Sequence, residues 1–425
     1  MNLFRPISIS LSPNTERDDI QLTLRLIFQL WRWKSGKAIE TLENEFKDYL
    51  GMKYAISFNS GRSAQMAILS SLNLNREDEV LLQAFTCNAV ANPIIWSELK
   101  PVYVDCDENT LNINLEDLKR KIGPKSKIVI VQHTFGLPAE MDGVLEICQK
   151  NNLILIEDCA HSLGAEYESK KVGLPAEARR AKAGTFGLAS FFSFSRDKVI
   201  SSVYGGIAVT NDPSLTEKLR QAQDKFGYPS YYWIFQQLLH PILMNWLVLP
   251  TYSIFGKYLL VLFQWLQILS KAVHWKEKRG EKPSYFPKRL PNALAILAFN
   301  QFKKLEKFNQ HRQEIANFYY ENLKNSSFQL PPQFGDRKQI FLRFTIKHQK
   351  AHQIIKKAWK ENLLIGDWYD KVIAPHDTKL DKMKYVSGHC PVAEKLAEIT
   401  FNLPTHINIS QKEALKIVEF LSSIK

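Results

Sequence analysis

The sequence predicts an α/β protein built on a mostly parallel β-sheet. Short apolar runs recur between residues 54 and 210, turn-forming residues follow each run, and stretches with helical spacing separate them. Runs that are apolar throughout are typical of strands covered by helices on both faces, as in parallel sheets. The seven runs are YAISF (54–58), EVLLQ (79–83), PVYVD (101–105), KIVIVQ (127–132), LILIE (153–157), ASFFSF (189–194) and GGIAVT (205–210).

The 425-residue chain exceeds the usual size of a single core, so we expect more than one domain. Residues 1–225 are predicted to form a large domain that contains the sheet. Residues 226–283 read as an apolar, aromatic-rich helical insertion. Residues 284–425 are predicted to form a long helix, over 289–325, and then a small α+β C-terminal domain.

The composition indicates which cellular compartment and which classes of partner to expect. A formal net charge of +13 raises nucleic acid, anionic membranes and phosphorylated substrates as partner classes. The basic residues are dispersed and no recognition motif accompanies them, so nucleic acid is not expected. The five scattered cysteines lack ligand-like spacing, which argues against disulfides and metal sites. Since no secretory signal is visible, we expect a cytoplasmic protein.

The informative residues of such a fold follow the strands, because ligands gather beyond the carboxyl ends of parallel strands. After the first run, Ser60, Gly61 and Arg62 begin a predicted helix whose free backbone N–H groups could bind a phosphate. An ordinary helix cap at Ser60 is the commoner use of such a serine. Phe85 follows the second run, where its ring could stack on a flat cofactor or simply pack in the core.

Two further runs end in charged residues. Asp158 follows the fifth run, and a carboxylate there is costly to bury unless it meets a cation. Ser193 and Lys198 come at the end of the sixth run; the lysine is either a solvated loop charge or an amine held in a pocket. A ring, a phosphate-binding turn, an acid and a lysine at one edge are the groups that pyridoxal 5'-phosphate (PLP) requires.

Several longer motifs together resemble the DegT/DnrJ/StrS family of PLP-dependent sugar aminotransferases. The resemblance covers roughly residues 35–225 and 285–425. It implies the type I aminotransferase fold, a homodimer with sites at the subunit interface, and transfer of an amino group from glutamate to a nucleotide-linked keto-sugar. The motifs are FNSGRSAQMAI, VYVDCDENTLNIN, VQHTFGLPAEMD, IEDCAHSLGA, FFSFSRDKVISSVYGGIAVT and CPVAEKLAEITFNLPTH.

The same resemblance implies a role for each position that matches. Lys198 matches the Schiff-base lysine, and Asp158 matches the partner of the pyridine nitrogen. The positive charge of that ring predicts a depressed pKa for Asp158. The remaining matches are His161 near the O3′ edge of the cofactor, Phe85 as the stacking aromatic, and Gly61, Arg62 and Ser193 at phosphate-contacting positions.

The chain also departs from the family pattern. It inserts LPAEARRAKAGT before the sixth run, and Tyr204 replaces the acid of the family's GEGG motif. Pro287 stands where relatives have an asparagine that reaches the partner subunit's phosphate site, and Lys288 or Arg289 is expected to substitute for it. These changes leave open a non-catalytic scaffold. A PLP-dependent sugar dehydratase is a further alternative, although such relatives replace the lysine with histidine.

The insertion has an unusual composition. Residues 226–256 contain no Asp, Glu, Lys or Arg, and YLLVLFQWLQILS continues the apolar character after Lys257. Polar residues and prolines interrupt the run, so it predicts two broken apolar helices rather than one span of about 20 residues. We expect residues 226–270 to contact a membrane surface on its inner face, with the basic segment 271–282 beside it. Packing against protein and a true span are the alternatives.

Overall fold

The computed structural model describes residues 4–170 and 180–424. The strands are β1 (Ile7–Ser8), β2 (Tyr54–Phe58), β3 (Glu79–Gln83), β4 (Thr86–Cys87), β5 (Lys100–Val104), β6 (Ser126–Gln132), β7 (Ile154–Asp158), β8 (Glu166–Glu168), β9 (Arg180–Lys182), β10 (Ala189–Ser193), β11 (Gly206–Thr210), β12 (Arg337–Lys338), β13 (Phe344–Lys347), β14 (Leu363–Leu364), β15 (Ile373–Ala374) and β16 (Thr400–Leu403). The α-helices are α1 (Arg17–Ile27), α2 (Lys37–Leu50), α3 (Gly61–Ser71), α4 (Asn88–Trp96), α5 (Leu115–Lys121), α6 (Met141–Lys150), α7 (Pro213–Phe226), α8 (Tyr231–Leu243), α9 (Lys257–Trp265), α10 (Asn292–Phe302), α11 (Leu305–Leu323), α12 (Ala351–Lys360), α13 (Pro391–Ile399) and α14 (Gln411–Ser422).

The central sheet has seven strands in the order β2, β11, β10, β7, β6, β3, β5. The ladders from β10 through β7, β6 and β3 to β5 are parallel, and β11 runs antiparallel to both of its neighbours. Each strand lies within one residue of a predicted run. The prediction of a mostly parallel seven-stranded sheet is therefore confirmed.

Helices cover both faces of the sheet, which is why its strands are apolar throughout. On β6, Ile128 and Ile130 pack into a core shared with α3 and α4, whereas Val129 and Val131 pack into a core shared with α5 and α6. Successive residues of a strand point to opposite faces, so an alternating pattern would leave one of these cores without apolar side chains.

The C-terminal part forms a smaller α+β unit. Strands β13 and β16 pair antiparallel, and a separate apolar core includes Phe344, Phe401 and Ile417. Ile7 belongs to the same core, because β1 pairs in parallel with β14. The first described residues thus pack with the C-terminal unit, although the sequence groups them with the large domain.

The prediction of one long helix over 289–325 is wrong, because α10 ends at Phe302 and α11 begins at Leu305. Lys303 and Lys304 lie between the two helices. The Nζ atom of Lys304 lies 2.9 Å from an Asp18 carboxylate oxygen, 3.1 Å from Glu16 and 3.3 Å from Asp19. These three acids come from the start of α1. The break therefore places a lysine against an acidic group that lies nearly 300 residues away in the sequence.

The insertion forms two helices with different environments. Trp233, Ile234 and Leu238 of α8 are buried in the main core, where α8 lies against α1 and α10. Two π-helical turns, Met244–Val248 and Tyr252–Gly256, lead to α9, and among the described residues α9 has none that is buried. The expectation of two broken apolar helices is confirmed, and packing against protein accounts for the first of them.

The lengths of these helices bear on a membrane span. Within residues 4–170 and 180–424, no single helix has the length and apolar composition to cross a bilayer. One pair, Tyr231–Val248 with Tyr252–Trp265, meets both criteria together and is bent by 107°.

Gly206 in β11 lets the sheet approach the start of α3. A Cβ at Gly206 would lie 2.4 Å from the backbone nitrogen of Gly61 and 2.4 Å from the carbonyl carbon of Ser60. Gly206→Ala should therefore lower the free energy of unfolding by about 1–3 kcal/mol, because backbone has to move. Urea unfolding measures this, with Gly335→Ala as the control, since a Cβ there meets no described atom within 4 Å. Equal stability of the two variants would contradict the close approach.

Candidate active site

A cleft opens at the carboxyl ends of β7 and β10, next to the start of α3. The start of α4, the loops that follow β10 and β14, and residues 272 and 273 complete its walls. Six of the eight residues predicted for the site line it: Gly61, Arg62, Asp158, His161, Ser193 and Lys198. Ser60 and Phe85 do not.

Hydrogen bonds of its backbone fix the position of Lys198, and its side chain is partly buried. Its N–H donates to the Ser195 carbonyl at 3.1 Å, and its carbonyl accepts from Asn14 Nδ2 at 2.5 Å. Its Nζ atom lies 5.1 Å from the centre of the Trp368 ring. Burial lowers the pKa of Lys198 below its ordinary value. A larger fraction of this amine is therefore uncharged, and nucleophilic, near neutral pH than for an exposed lysine.

Asp158 ends the central strand β7 and is almost fully buried. Its Oδ1 accepts a hydrogen bond from the Ala160 N–H at 3.0 Å. Burial raises the pKa of Asp158, although this N–H and the Lys198 charge act in the opposite direction. In the chain without cofactor, burial outweighs both, and the depressed pKa expected beside the charged ring of PLP stays a prediction. A cation placed against this carboxylate would reverse the direction of the shift.

His161 is buried as a neutral ring. Burial lowers the pKa of His161 well below its ordinary value, and the charges of Lys198 and Arg343 act in the same direction. Its ring stacks on Phe135, with 5.5 Å between ring centres and 9° between ring planes. The Phe135 N–H donates to Nδ1 at 3.4 Å. This hydrogen bond assigns the ring proton to Nε2, which makes Nε2 a hydrogen-bond donor.

The start of α3 has the form of an anion cradle. The first N–H groups of a helix lack partners within the helix and lie at its positive end. Gly61 is the first residue of α3 and lies beside Ser193. A Cβ added at Gly61 would lie 3.1 Å from the Cβ of Ser193. Ser60 is the helix cap, because its Oγ accepts from the Ser63 N–H at 3.0 Å. The commoner reading of Ser60 is thus confirmed, while the phosphate contacts at Gly61 and Ser193 stay predictions.

The guanidinium of Arg62 is already paired. Its Nε lies 2.6 Å from Glu277 Oε2, and both side chains are buried. Burial alone would lower the pKa of Arg62, but the Glu277 carboxylate, together with Tyr204, Cys87 and Tyr285, outweighs burial and raises that pKa. A phosphate at Arg62 would have to share this guanidinium with Glu277.

The stacking role predicted for Phe85 does not fit its position. Phe85 is fully buried, and its ring meets those of Phe135 and Tyr369 edge to face. Cys87, two residues later, lines the cleft instead. The aromatic surface of the cleft comes from Phe191, Tyr204, Trp368 and Tyr369. The sequence analysis missed Trp368 and Tyr369, because no strand or helix pattern leads to them.

Two positioning residues were also missed. Arg312 on α11 is fully buried, and its Nη2 donates to Asn14 Oδ1 at 3.0 Å and to the Val199 carbonyl at 2.9 Å. Together with the Asn14 bond to Lys198, this fixes the loop that carries the lysine. An arginine on an otherwise buried helix face is a signal in the sequence; Asn14 offers none.

The residues that depart from the family pattern have partners within the chain. Tyr204 lines the cleft and donates its hydroxyl to the Lys271 carbonyl at 2.6 Å. Lys288 Nζ donates to the Phe226 carbonyl at 2.9 Å, and Arg289 pairs with Asp224 at 2.9 Å. Their role toward a partner subunit stays a prediction. Residues 174–179 of the inserted LPAEARRAKAGT lie outside the described residues.

At the carboxyl ends of β6 and β7, His133, Glu157 and Cys159 form a buried group of potential metal ligands. His133 Nε2 and Glu157 Oε2 are 3.1 Å apart, and Ala139 N–H donates to His133 Nδ1. The N–H groups of Gly184, Phe186 and Gly187 donate to the Glu157 carboxylate at 2.7–2.8 Å. Hydrogen bonds therefore account for this carboxylate, and its role here is to hold the turn before β10.

Comparison with known proteins identifies the family. The model of the DegT/DnrJ/EryC1/StrS aminotransferase family matches residues 14–234 and 264–422. The chain belongs to this family. Its members are PLP-dependent, so the protein is a PLP-dependent sugar aminotransferase. Residues 235–263, which contain most of α8, both π-helical turns and most of α9, are not matched.

Two curated relatives and one solved structure are similar over nearly the whole length. UDP-N-acetyl-3-dehydro-alpha-D-glucosamine 3-aminotransferase of Acidithiobacillus ferrooxidans is 25% identical, over 94% of this chain and 92% of its own. GDP-perosamine synthase of Escherichia coli O157:H7 is 26% identical, over 92% and 91%. The fold matches the Helicobacter pylori aminotransferase PseC, with a TM-score of 0.74, 23% identity and 98% coverage of both chains.

The residues of the cleft fit PLP. They offer a partly buried amine at Lys198, a buried carboxylate at Asp158, and a helix start at Gly61 whose backbone leaves no room for a side chain at Gly206. These match the aldehyde, the ring nitrogen and the phosphate of the cofactor.

Lys198 should be the residue that binds PLP covalently. Lys198→Ala should abolish the visible absorption band that protein-bound PLP gives after dialysis, because the band depends on that covalent bond. Lys324→Ala, which removes an exposed lysine, should keep it. Circular dichroism checks that both variants fold. A band of wild-type intensity in Lys198→Ala would assign the cofactor to another amine.

Proposed function

We propose that the protein transfers an amino group from glutamate to the keto group of a sugar carried on a nucleotide. The observation that carries this proposal is the convergence of the Lys198 amine, the Asp158 carboxylate and the start of α3 in one cleft. The names of the two curated relatives support the substrate class, since one contains a UDP-linked sugar and the other a GDP-linked sugar.

Each residue has a defined task in this reaction. PLP, when bound, supplies an electron sink for the bond that is broken. Lys198 Nζ holds the cofactor and then accepts and returns the proton of the reacting carbon. The Asp158 carboxylate holds a proton on the ring nitrogen, and the α3 N–H groups with Ser193 hold the phosphate. His161, kept neutral by its surroundings, can donate a hydrogen bond from Nε2 without adding positive charge.

Two other functions compete with this proposal. A sugar dehydratase of the same fold would use a histidine in place of Lys198, which this chain retains. A non-catalytic scaffold would tolerate the loss of PLP binding. Release of 2-oxoglutarate from glutamate, followed by amino-sugar formation from UDP-, GDP- and dTDP-linked keto-sugars, supports the transaminase; no release with PLP bound would contradict glutamate as donor.

Asp158→Asn should lower the rate of 2-oxoglutarate formation by more than tenfold, because the ring nitrogen loses the group that keeps it protonated. Single-turnover kinetics measure the rate, and the absorption band shows that PLP is still bound. Asp381→Asn, at an exposed carboxylate, is the control. A loss smaller than about tenfold, or ~1.4 kcal/mol of barrier, would assign Asp158 a structural role.

We further propose that the protein works in the cytoplasm, at the inner surface of a membrane. The surface of the hairpin formed by residues 244–266 supports this, because several of its large apolar side chains are exposed. Tyr258 and Val261 are 64% and 65% exposed, and Trp246 is 60% exposed. Lys257 and the basic segment 271–282 flank them, and basic residues add about 1 kcal/mol each at an anionic lipid surface.

A homodimer is part of the same proposal. Between α1 and α2 the single chain leaves Phe28, Leu30 and Trp31 at least half exposed. Large apolar side chains that cluster on a surface favour burial against a partner. A second copy of the chain is the partner that the family resemblance predicts.

Replacing Trp246, Tyr258 and Val261 with serine should reduce binding to vesicles that contain phosphatidylglycerol by at least about tenfold, because the side chains lose their apolar burial in lipid. Vesicle flotation measures the binding. The matched control replaces Trp359, Val386 and Leu415, exposed apolar residues outside the hairpin. Light scattering gives the mass of each variant. A wild type that does not float would contradict the membrane proposal, and if the hairpin variant is then also monomeric, the hairpin is a protein interface.

A further inference from the structure

A second cavity lies beside the cleft, and we call it the side chamber. It holds about 750 Å³ and is bounded by the start of α8, the end of α9 and the segments 267–276 and 283–288. Residues 270 and 271 line the side chamber, whereas residues 272 and 273 line the cleft. The two cavities therefore share one short stretch of backbone as their partition.

The side chamber is positively charged. Lys271, Lys276 and Lys288 line it, and none of its described lining residues is acidic. Glu277, the nearest acid in the sequence, is buried against Arg62 and does not offset these charges. Burial lowers the pKa of His274, and Lys276 and Lys271 lower it further, so this lining histidine is neutral at pH 7. A concave site with cations of one sign concentrates anionic ligands.

The walls also carry flat aromatic surface. Tyr232, Trp265 and Trp275 line the side chamber. Trp265 is 76% exposed at the end of α9, so it belongs both to the side chamber and to the exposed face of the hairpin. A ligand here meets cations and rings together, the combination suited to a phosphate ester with an apolar or aromatic group.

A buried guanidinium marks the partition. Arg196 lines the cleft, is 7% exposed, and donates from Nη2 to Oγ of Ser270 in the partition at 2.6 Å. Its Nε has no hydrogen-bond partner among residues 4–170 and 180–424. The neighbouring Asp197 carboxylate binds Arg343 instead. A buried cation with an unused donor favours an anionic group between the two cavities.

We infer that the side chamber binds the diphosphate ester that carries the sugar, with the sugar in the cleft. This inference rests on the proposed function. The diphosphate lies against Arg196, Lys271 and Lys276, and the group beyond it lies on Trp265 and Trp275. Two sources supply this chemistry. A nucleoside diphosphate would stack its base on the tryptophans, whereas a polyprenyl diphosphate would run its chain onto the exposed face of α9.

Ligand binding without turnover tests this directly. UDP, GDP and farnesyl diphosphate are titrated into the PLP-loaded protein, with calorimetry as the readout. The double variant Lys271→Gln/Lys276→Gln should weaken the binding of the preferred diphosphate at least tenfold, and added salt should weaken wild-type binding. The control, Lys324→Gln/Lys412→Gln, removes two exposed lysines that do not line the side chamber. Circular dichroism and the PLP band confirm that each variant is folded and loaded.

The outcomes separate the two proposals. Tight binding of UDP or GDP that Trp265→Ala weakens identifies the nucleoside source, and preference for farnesyl diphosphate identifies the lipid source. Equal affinities in the lysine variant and its control, or no binding of any diphosphate, would contradict diphosphate binding in the side chamber. Release of 2-oxoglutarate from glutamate would still support the proposed transamination in that case. Lysine-dependent diphosphate binding without that release supports the side chamber and contradicts the proposed transamination.

Discussion

The Asp158 carboxylate lies at the end of a central strand, where burial makes its charged form costly. Positive groups have to be brought to it, and the strand order does this by placing the Lys198 loop at the end of the adjacent strand β10. Burial acts on Lys198 in the complementary direction, toward the uncharged amine. The cleft thus combines an acid and an amine that suit the same ligand. A positive ring nitrogen would stabilise the carboxylate, and a reactive carbonyl would react with the uncharged amine.

Positions set by strand ends could be predicted from the sequence, because a run of apolar residues fixes where a strand stops. Asp158, Ser193 and Lys198 follow from this rule, and so does Gly61 at a helix start. Phe85 also follows a strand, but the rings that enclose it, Phe135 and Tyr369, come from distant parts of the chain. Whether a ring at a strand end faces a ligand or the core depends on such neighbours, which periodicity does not reveal.

The insertion, too, could be predicted only in part from the sequence. Its composition indicates apolar helices, but composition does not say which helix will find a surface to pack against. The α8 helix lies in the core because α1 and α10 face it, whereas α9 extends beyond them. The break between α10 and α11 likewise depends on acids at the start of α1, which lie far away in the sequence.

The N-terminal segment links three parts of the molecule that the sequence treats separately. Ile7 packs in the C-terminal core, Asn14 holds the carbonyl of Lys198, and Asp19 pairs with Lys304 at the helix break. These contacts lie within thirteen residues of chain. One short segment therefore braces the C-terminal core, the loop of the reactive amine and the break between α10 and α11, so the placement of the amine depends on the same stretch of chain as the attachment of the C-terminal unit.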